Sequence, residues 1–485
     1  MLFRSSLTSI ALLVVLLTAF DSQSQVDWDE TLDVADNSFG NNRPRVVVDS
    51  EGTPIVMWSD NGAVQVAKWD GSAFGEPQQV NPENTTVATA TWMGPGIAAF
   101  EDRIYVVYTE TSSAEGGNEI KICSSTDGGE TFSNPQTVTE NADLTRFSEI
   151  TVDENGNPVV AYISFPESMD HHEWLVRTSS DFGSTFSEPA LASGWSSETT
   201  EACDCCPASL IRSDNTLITL FRDNNSDIRN IWAGFSSNSG ETFTAGYDVD
   251  QQNWEISACP ASGPHGVIVG DTLYSSFMSG VEGPPRVFAS KMSVSNPGSP
   301  VVSRITEEFD DLSQQNFPRM AASGNIVATV WTQRINWANQ LAFSIDEDIT
   351  DGEAAAFQTI DESGVISGDV KIVGQEVFVV WQNSITGMVK FKSGTIDFSI
   401  GVEESEDLEE VRVYPNPSSG VWNITNIEKN ANYQLLDTSG RIIQSDAESV
   451  SGGQLKLDLR DYPTGMYFLK VTTDDGTKSF KLLRK

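Results

Sequence analysis

Sulfur, imidazole and positive charge are all scarce in this sequence. Its 485 residues hold 5 cysteines and 3 histidines, and 29 basic residues stand against 69 acidic ones, a formal net charge of −40. Five cysteines are too few for a disulfide framework to replace a hydrophobic core. So acidic a surface repels nucleic acid and anionic membranes and excludes both as electrostatic partners. It suits solubility in salty surroundings and weak Ca²⁺ accumulation. After residue 20 no apolar run approaches the ~18 residues that a membrane helix needs, and no long amphipathic helical period appears. What is present is glycine (37), aromatics (24 Phe, 12 Trp, 9 Tyr) and short alternating apolar segments. Together they describe an all-β chain. Length alone suggests two or three domains.

The first 25 residues read MLFRSSLTSIALLVVLLTAFDSQSQ. Arg4 supplies a positive start, Ile10 to Phe20 an apolar stretch, and Ser22 and Ser24 a small-x-small cleavage site. This is the pattern of a secretory signal peptide over residues 1–24, without a lipobox cysteine. The chain is therefore expected in a compartment that permits disulfides.

One pattern then recurs seven times: a short apolar strand, a tight polar turn, and a second strand ending in an aromatic. The copies are PRVVVDSEGTPIVMW from Pro44, PGIAAFEDRIYVVY from Pro95, SEITVDENGNPVVAY from Ser148, PASLIRSDNTLITLF from Pro207, PHGVIVGDTLYSSF from Pro264, PRMAASGNIVATVW from Pro318 and SGDVKIVGQEVFVVW from Ser367. A third strand follows each, and a fourth follows most. Four strands per unit at about 50-residue spacing is the signature of a β-propeller over residues 25–400. The last unit lacks a fourth strand, and VDWDETLDVADN near the start resembles one. The two ends are thus expected to latch a seven-bladed ring, with a six-bladed ring as the alternative.

Three units carry a further motif between their third and fourth strands. SSTDGGETF holds Ser125, Asp127, Gly129, Thr131 and Phe132; TSSDFGSTF holds Ser179, Asp181, Gly183, Thr185 and Phe186; SSNSGETF holds Ser236, Asn238, Gly240, Thr242 and Phe243. These resemble the Asp-box of sialidase-like (BNR-repeat) propellers. The acidic side chain can bond turn N–H groups while the Phe fills the blade, so the motif is a folding device. Sialidases of this family need an arginine triad, a Tyr–Glu nucleophile pair and an Asp acid, and usually show Arg-Ile-Pro near the first blade. Here that region reads NNRPRVVVD, and no tyrosine lies in the sixth or seventh unit. The resemblance therefore implies the fold rather than sialidase activity.

The few cysteines are concentrated. EACDCCPASL places Cys203, Cys205 and Cys206 immediately before the first strand of unit four, and SACPASGPHG places Cys259 and His265 at the same point of unit five. Adjacent blades should bring these entries together near the axis. A disulfide from Cys259 to one of the three is one reading; a Cu or Zn site built from Cys203, Cys205, Cys206, Cys259 and His265, with His171 and His172 in the next blade, is the other. Cys123 sits alone in a third strand and reads as a buried thiol. On the same face, Asp60, Glu110, Arg222 and Asp223, with Arg229 nearby, are the candidates for acid–base or anion-binding work. The aromatics Trp58, Tyr108, Tyr162, Phe221, Trp331 and Trp381 read as blade core.

The end of the chain is different. VRVYPNPSSGVWNITN, YQLLDTSGRIIQS and LDLRDYPTGMYFLKVTTDDGTKSFKLLRK resemble the type IX secretion sorting domain at Tyr414 to Pro417 with Gly420, at Asp437 with Gly440 and Arg441, and at Leu459 with Pro463, Thr464, Gly465 and Tyr467. Strands separated by Asn-Pro, Ser-Gly and Asp-Gly turns make residues 411–485 a small β-sandwich, joined to the propeller by an acidic linker, 401–410. The resemblance implies delivery by the type IX machinery to the cell surface or beyond. Three functions fit this organisation: a ligand- or metal-binding propeller with its site on the Cys/His face, a carbohydrate-active enzyme of sialidase-like fold, and a structural adhesin. A glycan or another surface ligand is the partner each invites.

Overall fold

The computed structural model describes residues 25–35, 41–111, 118–139, 144–165, 171–197, 200–346, 357–362, 364–397, 412–425, 432–436, 442–446, 454–460, 462–463, 465–473 and 476–485. The signal segment, the acidic linker and the tail motif at 437–441 lie outside them. Among the described residues every regular element is a strand. The described residues before 400 form seven antiparallel sheets. Blade 1, for example, runs Asn41–Val48, Pro54–Asp60, Ala63–Lys68 and Gln78–Gln79 in that spatial order.

The second strand of each blade is buried along nearly its whole length, as in Pro158–Phe165 and Thr216–Asn224. A strand covered on both faces reads as a continuous apolar run, and the cover comes from the neighbouring blades. Each junction has its own apolar cluster. Met57 and Val66 pack with Val106 and Tyr108 between blades 1 and 2, and Val46 and Trp58 pack with Val380 and Phe391 between blades 7 and 1. Each inner strand also touches the inner strand of the next blade, and that of blade 7 touches that of blade 1. The ring is closed.

The latch is formed as the repeat count requires. Gln25–Trp28 pairs antiparallel with Val389–Asp397, the third strand of blade 7, in the register Val26 to Ile396. Leu32–Asp33 pairs with the same strand at Phe391 and Lys390. Closure removes the open sheet edge.

The three Asp-boxes fold alike. Gly129 N donates to Ser125 Oγ at 2.9 Å, Thr131 N to Asp127 Oδ1 at 3.0 Å, and Thr131 Oγ1 to Asp127 Oδ2 at 2.6 Å. Asp181 and Thr185 repeat this pattern. In the third box Asn238 Nδ2 instead donates to Thr242 Oγ1, at 3.0 Å. Phe132, Phe186 and Phe243 pack onto the inter-blade clusters. Gly129, Gly183 and Gly240 all have φ near +90° (90°, 87° and 95°), which only glycine adopts without strain.

After residue 411 two further sheets share one core. Arg412–Tyr414, Val421–Thr425 and Gln454–Asp458 form one, and Ile442–Asp446, Asn432–Leu436, Gly465–Thr473 and Gly476–Arg484 the other. Trp422, Ile424, Leu435, Leu457 and Leu469 fill the space between.

Candidate functional site

The blade register builds a ring of side chains around the axis. In each blade one inner-strand residue pairs with the residue just before the terminal aromatic of the second strand. These are Arg45 (opposite Met57), Gly96 (Val107), Glu149 (Ala161), Ser209 (Leu220), His265 (Ser276), Arg319 (Val330) and Asp369 (Val380). Just upstream of Arg45, Glu149 and Arg319 the register shifts. There Arg43, Phe147 and Phe317, each two residues before the ring position, take φ of 49°, 55° and 51°. Such bulges re-aim the side chains that follow.

Charge in the ring is unbalanced. Arg319 Nε donates to Asp369 Oδ1 at 3.0 Å, and Asp369 Oδ2 accepts from Val46 N at 3.1 Å. Arg43 reaches Glu149 at 3.5 Å. Arg45 donates to the Pro44 carbonyl at 2.9 Å, and among the described residues no carboxylate pairs with it. Three guanidinium groups thus share two carboxylates. Burial, then the repulsion of Arg319 and Arg43, pulls the Arg45 pKa well below its ordinary value. Burial is also the main cause of the lowered value at Arg43. His265 is half-buried among the same arginines, and desolvation and then their charge depress its pKa well below the ordinary value. Its Nδ1 accepts from Met320 N at 3.0 Å. A narrow pit of about 40 Å³ opens here, walled by Arg43, Arg45, Arg319, Pro207, Pro264 and Pro318, with Trp92 (37% exposed) at its rim.

The four clustered cysteines do meet, at the entries of blades 4 and 5. Cys205 and Cys259 form a disulfide with Cα atoms 6.2 Å apart. Cys203 and Cys206 remain buried thiols, 3.3 Å from each other, and Cys203 lies 3.4 Å from the Cys205 sulfur. Arg229 Nη1 donates to the Cys203 sulfur at 3.0 Å. The hydrogen bond between Cys203 and Cys206, with Arg229 and Arg222 behind it, lowers the Cys203 pKa, whereas burial raises that of Cys206. The sulfurs of Cys203, Cys205 and Cys206 are close enough together to hold a metal ion. Cys123 lies apart in blade 2, where burial pushes its thiol up to about 11.

The remaining candidates fall elsewhere, and several expectations need correcting. His265 does not join the sulfurs: its position in the register turns it into the axial ring. His172 pairs with Glu201 at 3.3 Å and packs at a tilt against Phe165, and neither it nor His171 joins the cluster. Arg222 is fully buried and donates to the carbonyls of Ser262 (3.3 Å), Arg229 (2.8 Å) and Met278 (2.6 Å). It ties blade 4 to blade 5. Asp223 is equally buried, accepts from Ser196 and Thr200, and is pushed up to about 6 by desolvation. Glu110 sits at the end of a blade 2 strand, bridged to Val87. Asp60 lines a separate cavity between blades 7 and 1 with Leu32, Trp69 and Phe74. Trp58, Tyr108, Tyr162, Phe221, Trp331 and Trp381 are all core.

Of the axial residues, sequence reasoning singled out His265 alone, and for a different role; the others were missed. Their signal was the second letter of each repeat: PR, PG, SE, PH, PR. Blades 4 and 7 place the equivalent residue third.

A closed β-propeller with charged groups converging on its axis defines the class by its fold. Residues 49–269 match the BNR repeat-like domain, and residues 412–485 match the secretion system C-terminal sorting domain. The chain is thus a sialidase-like propeller carrying a type IX sorting domain, which places it in secretion to the cell surface or beyond. No curated protein matches it in sequence. Among solved structures it is similar to an ulvan lyase of polysaccharide lyase family PL25 (11% identity, TM-score 0.50, covering 76% of this chain and 96% of that one). A protein of unknown function from Dyadobacter fermentans is also similar (12%, TM-score 0.47, 76% and 99%). So is the Hadza microbial sialidase Hz136 (13%, TM-score 0.44, 75% and 68%). At such identities the likeness concerns the fold alone.

Proposed function

We propose that this exported propeller binds a glycan bearing carboxylate or sulfate groups at the axial arginine pit. The observation that carries this is Arg45: a buried guanidinium beside two others, with no carboxylate of its own among the described residues. An incoming anion would relieve the mutual repulsion and accept charge-assisted hydrogen bonds. The size of the pit is consistent with one such group rather than a sugar ring. The ring would lie above it, on the Trp92 face. The ulvan lyase of related fold was solved with -[GlcA(1-4)Rha3S]- bound, an anionic glycan of this kind.

Calorimetry against uronate-containing, sulfated and neutral oligosaccharides tests the reading. Binding of an acidic glycan should weaken at least about tenfold, ~1.4 kcal/mol, in Arg45→Ala and in Arg319→Ala. Equal affinity for neutral sugars, or an Arg45→Ala variant that binds like the parent, would overturn it.

A second reading, a carbohydrate-active enzyme, draws on Glu149 and Asp369, the two carboxylates of the same ring. It predicts turnover of the bound glycan that Glu149→Gln abolishes without loss of binding. Copper or zinc at the cysteine cluster is a weaker reading. With Cys205 in a disulfide only two thiols remain there, and Arg222 and Arg229 place positive charge beside them.

A further inference from the structure

Three sulfurs in mutual contact, one of them bonded to a fourth in a disulfide, are arranged for chemistry as well as for stapling. We propose that Cys203, Cys205, Cys206 and Cys259 form a thiol–disulfide exchange site, in which a single disulfide moves between Cys205–Cys259 and Cys203–Cys206. Three observations carry this. Cys203 sits 3.4 Å from the Cys205 sulfur, within reach of attack. Cys206 sits 3.3 Å from Cys203, placed to resolve the product. Arg229 donates to the Cys203 sulfur at 3.0 Å, and its own Nε is held by the Ile256 carbonyl at 3.0 Å. A fixed guanidinium favours the thiolate, which is the nucleophile in such exchange. Cys123 shows the contrast: its thiol lies against the Val80 carbonyl, at 3.7 Å, and Tyr108, and among the described residues no cation bonds to it.

The exchange balances internally. The Cys203 thiolate attacks the Cys205 sulfur. The Cys203–Cys205 bond forms, the Cys205–Cys259 bond breaks, and Cys259 leaves as a thiolate. Cys259 is exposed, so it takes its proton from solvent. Cys206 then attacks Cys203 and passes its proton to the departing Cys205 sulfur, 3.8 Å away. The Cys203–Cys206 bond forms, the Cys203–Cys205 bond breaks, and Cys205 leaves as the thiol carrying the proton from Cys206. One disulfide and two thiols exist before and after, so no oxidant or reductant is consumed. What changes is the link. Cys205–Cys259 spans 54 residues and joins the entries of blades 4 and 5, and those entries continue into Pro207, Ala208, Gly263 and Pro264 on the wall of the axial pit. Cys203–Cys206 lies within blade 4 alone and frees the blade 5 entry. The exchange does not depend on what the pit binds.

Labelling of the native, full-length exported protein with a maleimide, followed by peptide mapping, tests the proposal. Cys203 and Cys206 are buried, and in the Cys205–Cys259 form Cys259 is not a thiol. Label should nevertheless accumulate on Cys259 and Cys205 as exchange releases them, with the unlabelled pair recovered as Cys203–Cys206. Cys203→Ser should abolish label at Cys259, and Arg229→Gln, which keeps all four sulfurs, should slow it about tenfold. Label confined to Cys203 and Cys206, no label at all, or both disulfides present in the same molecule would each overturn the exchange. So would labelling of Cys259 at an unchanged rate in Arg229→Gln.

Discussion

Asp250 illustrates how a single side chain ties this fold to pH. Its carboxylate accepts from Ile231 N at 2.8 Å and Gln252 N at 3.0 Å, yet burial pushes it up to about 7. Asp223 is shifted in the same sense, to about 6. A carboxylic acid whose folded pKa is raised contributes stability that is fully present below the unfolded value, about 4, and is lost as pH climbs to the folded value. Asparagine has no proton to lose. The melting temperature of the native chain should therefore fall relative to that of Asp250→Asn between pH ~4 and ~7, by a few degrees. A difference between the two melting curves that stays constant across that window would contradict the assignment. The axial arginines belong to this scale too, since one unpaired guanidinium, rather than the shape of a large cleft, carries the binding proposal.

At the scale of elements, the latch strand matters most. Gln25–Trp28 covers the edge of Val389–Asp397, and Val26 and Val34 are buried against blades 6, 7 and 1. Removing residues 25–34 would expose that edge and strip apolar cover worth about 1.5–3 kcal/mol per side chain. The truncated propeller should melt several degrees lower and self-associate through the open strand; calorimetry and light scattering would show both. An unchanged melting point would mean that the ring holds without its latch. The bulges are the other decisive elements. Arg43, Phe147 and Phe317 adopt left-handed backbone with no glycine to announce it, and they aim Arg45, Glu149 and Arg319 at the axis.

For the whole molecule, the governing facts are a closed ring, a separate sandwich and a net charge of −40. The sandwich matches the secretion sorting domain over 412–485 and has its own core. Deleting it should leave a folded propeller that accumulates in the periplasm, which fractionation and circular dichroism can follow. Continued surface delivery without it would remove the sorting role. The arginine pit is a small positive feature in a strongly acidic protein, so long-range attraction will not steer an anionic glycan to it. Recognition there has to come from short contacts.

What the amino-acid order determined by itself was whatever is local and repeated. Blade period, blade count, Asp-box turns, the latch and the sorting tail all express strand alternation and turn chemistry within some fifteen residues of chain. The same phase placed Cys259 beside the group of Cys203, Cys205 and Cys206, because neighbouring entries must adjoin in any ring; it leaves open which of the three Cys259 bonds. Only the tertiary structure decided which side chains meet across the axis. His265 looked like a partner of the cysteines because it is six residues from Cys259, and Arg222 looked like a ligand group because it ends a strand. The register of the inner strand turned the first into the arginine ring, and the packing of blade 4 on blade 5 spent the second on three carbonyls. A side-chain direction set by a one-residue bulge, and a guanidinium satisfied by backbone some 40 to 56 residues away, leave no mark on the local pattern.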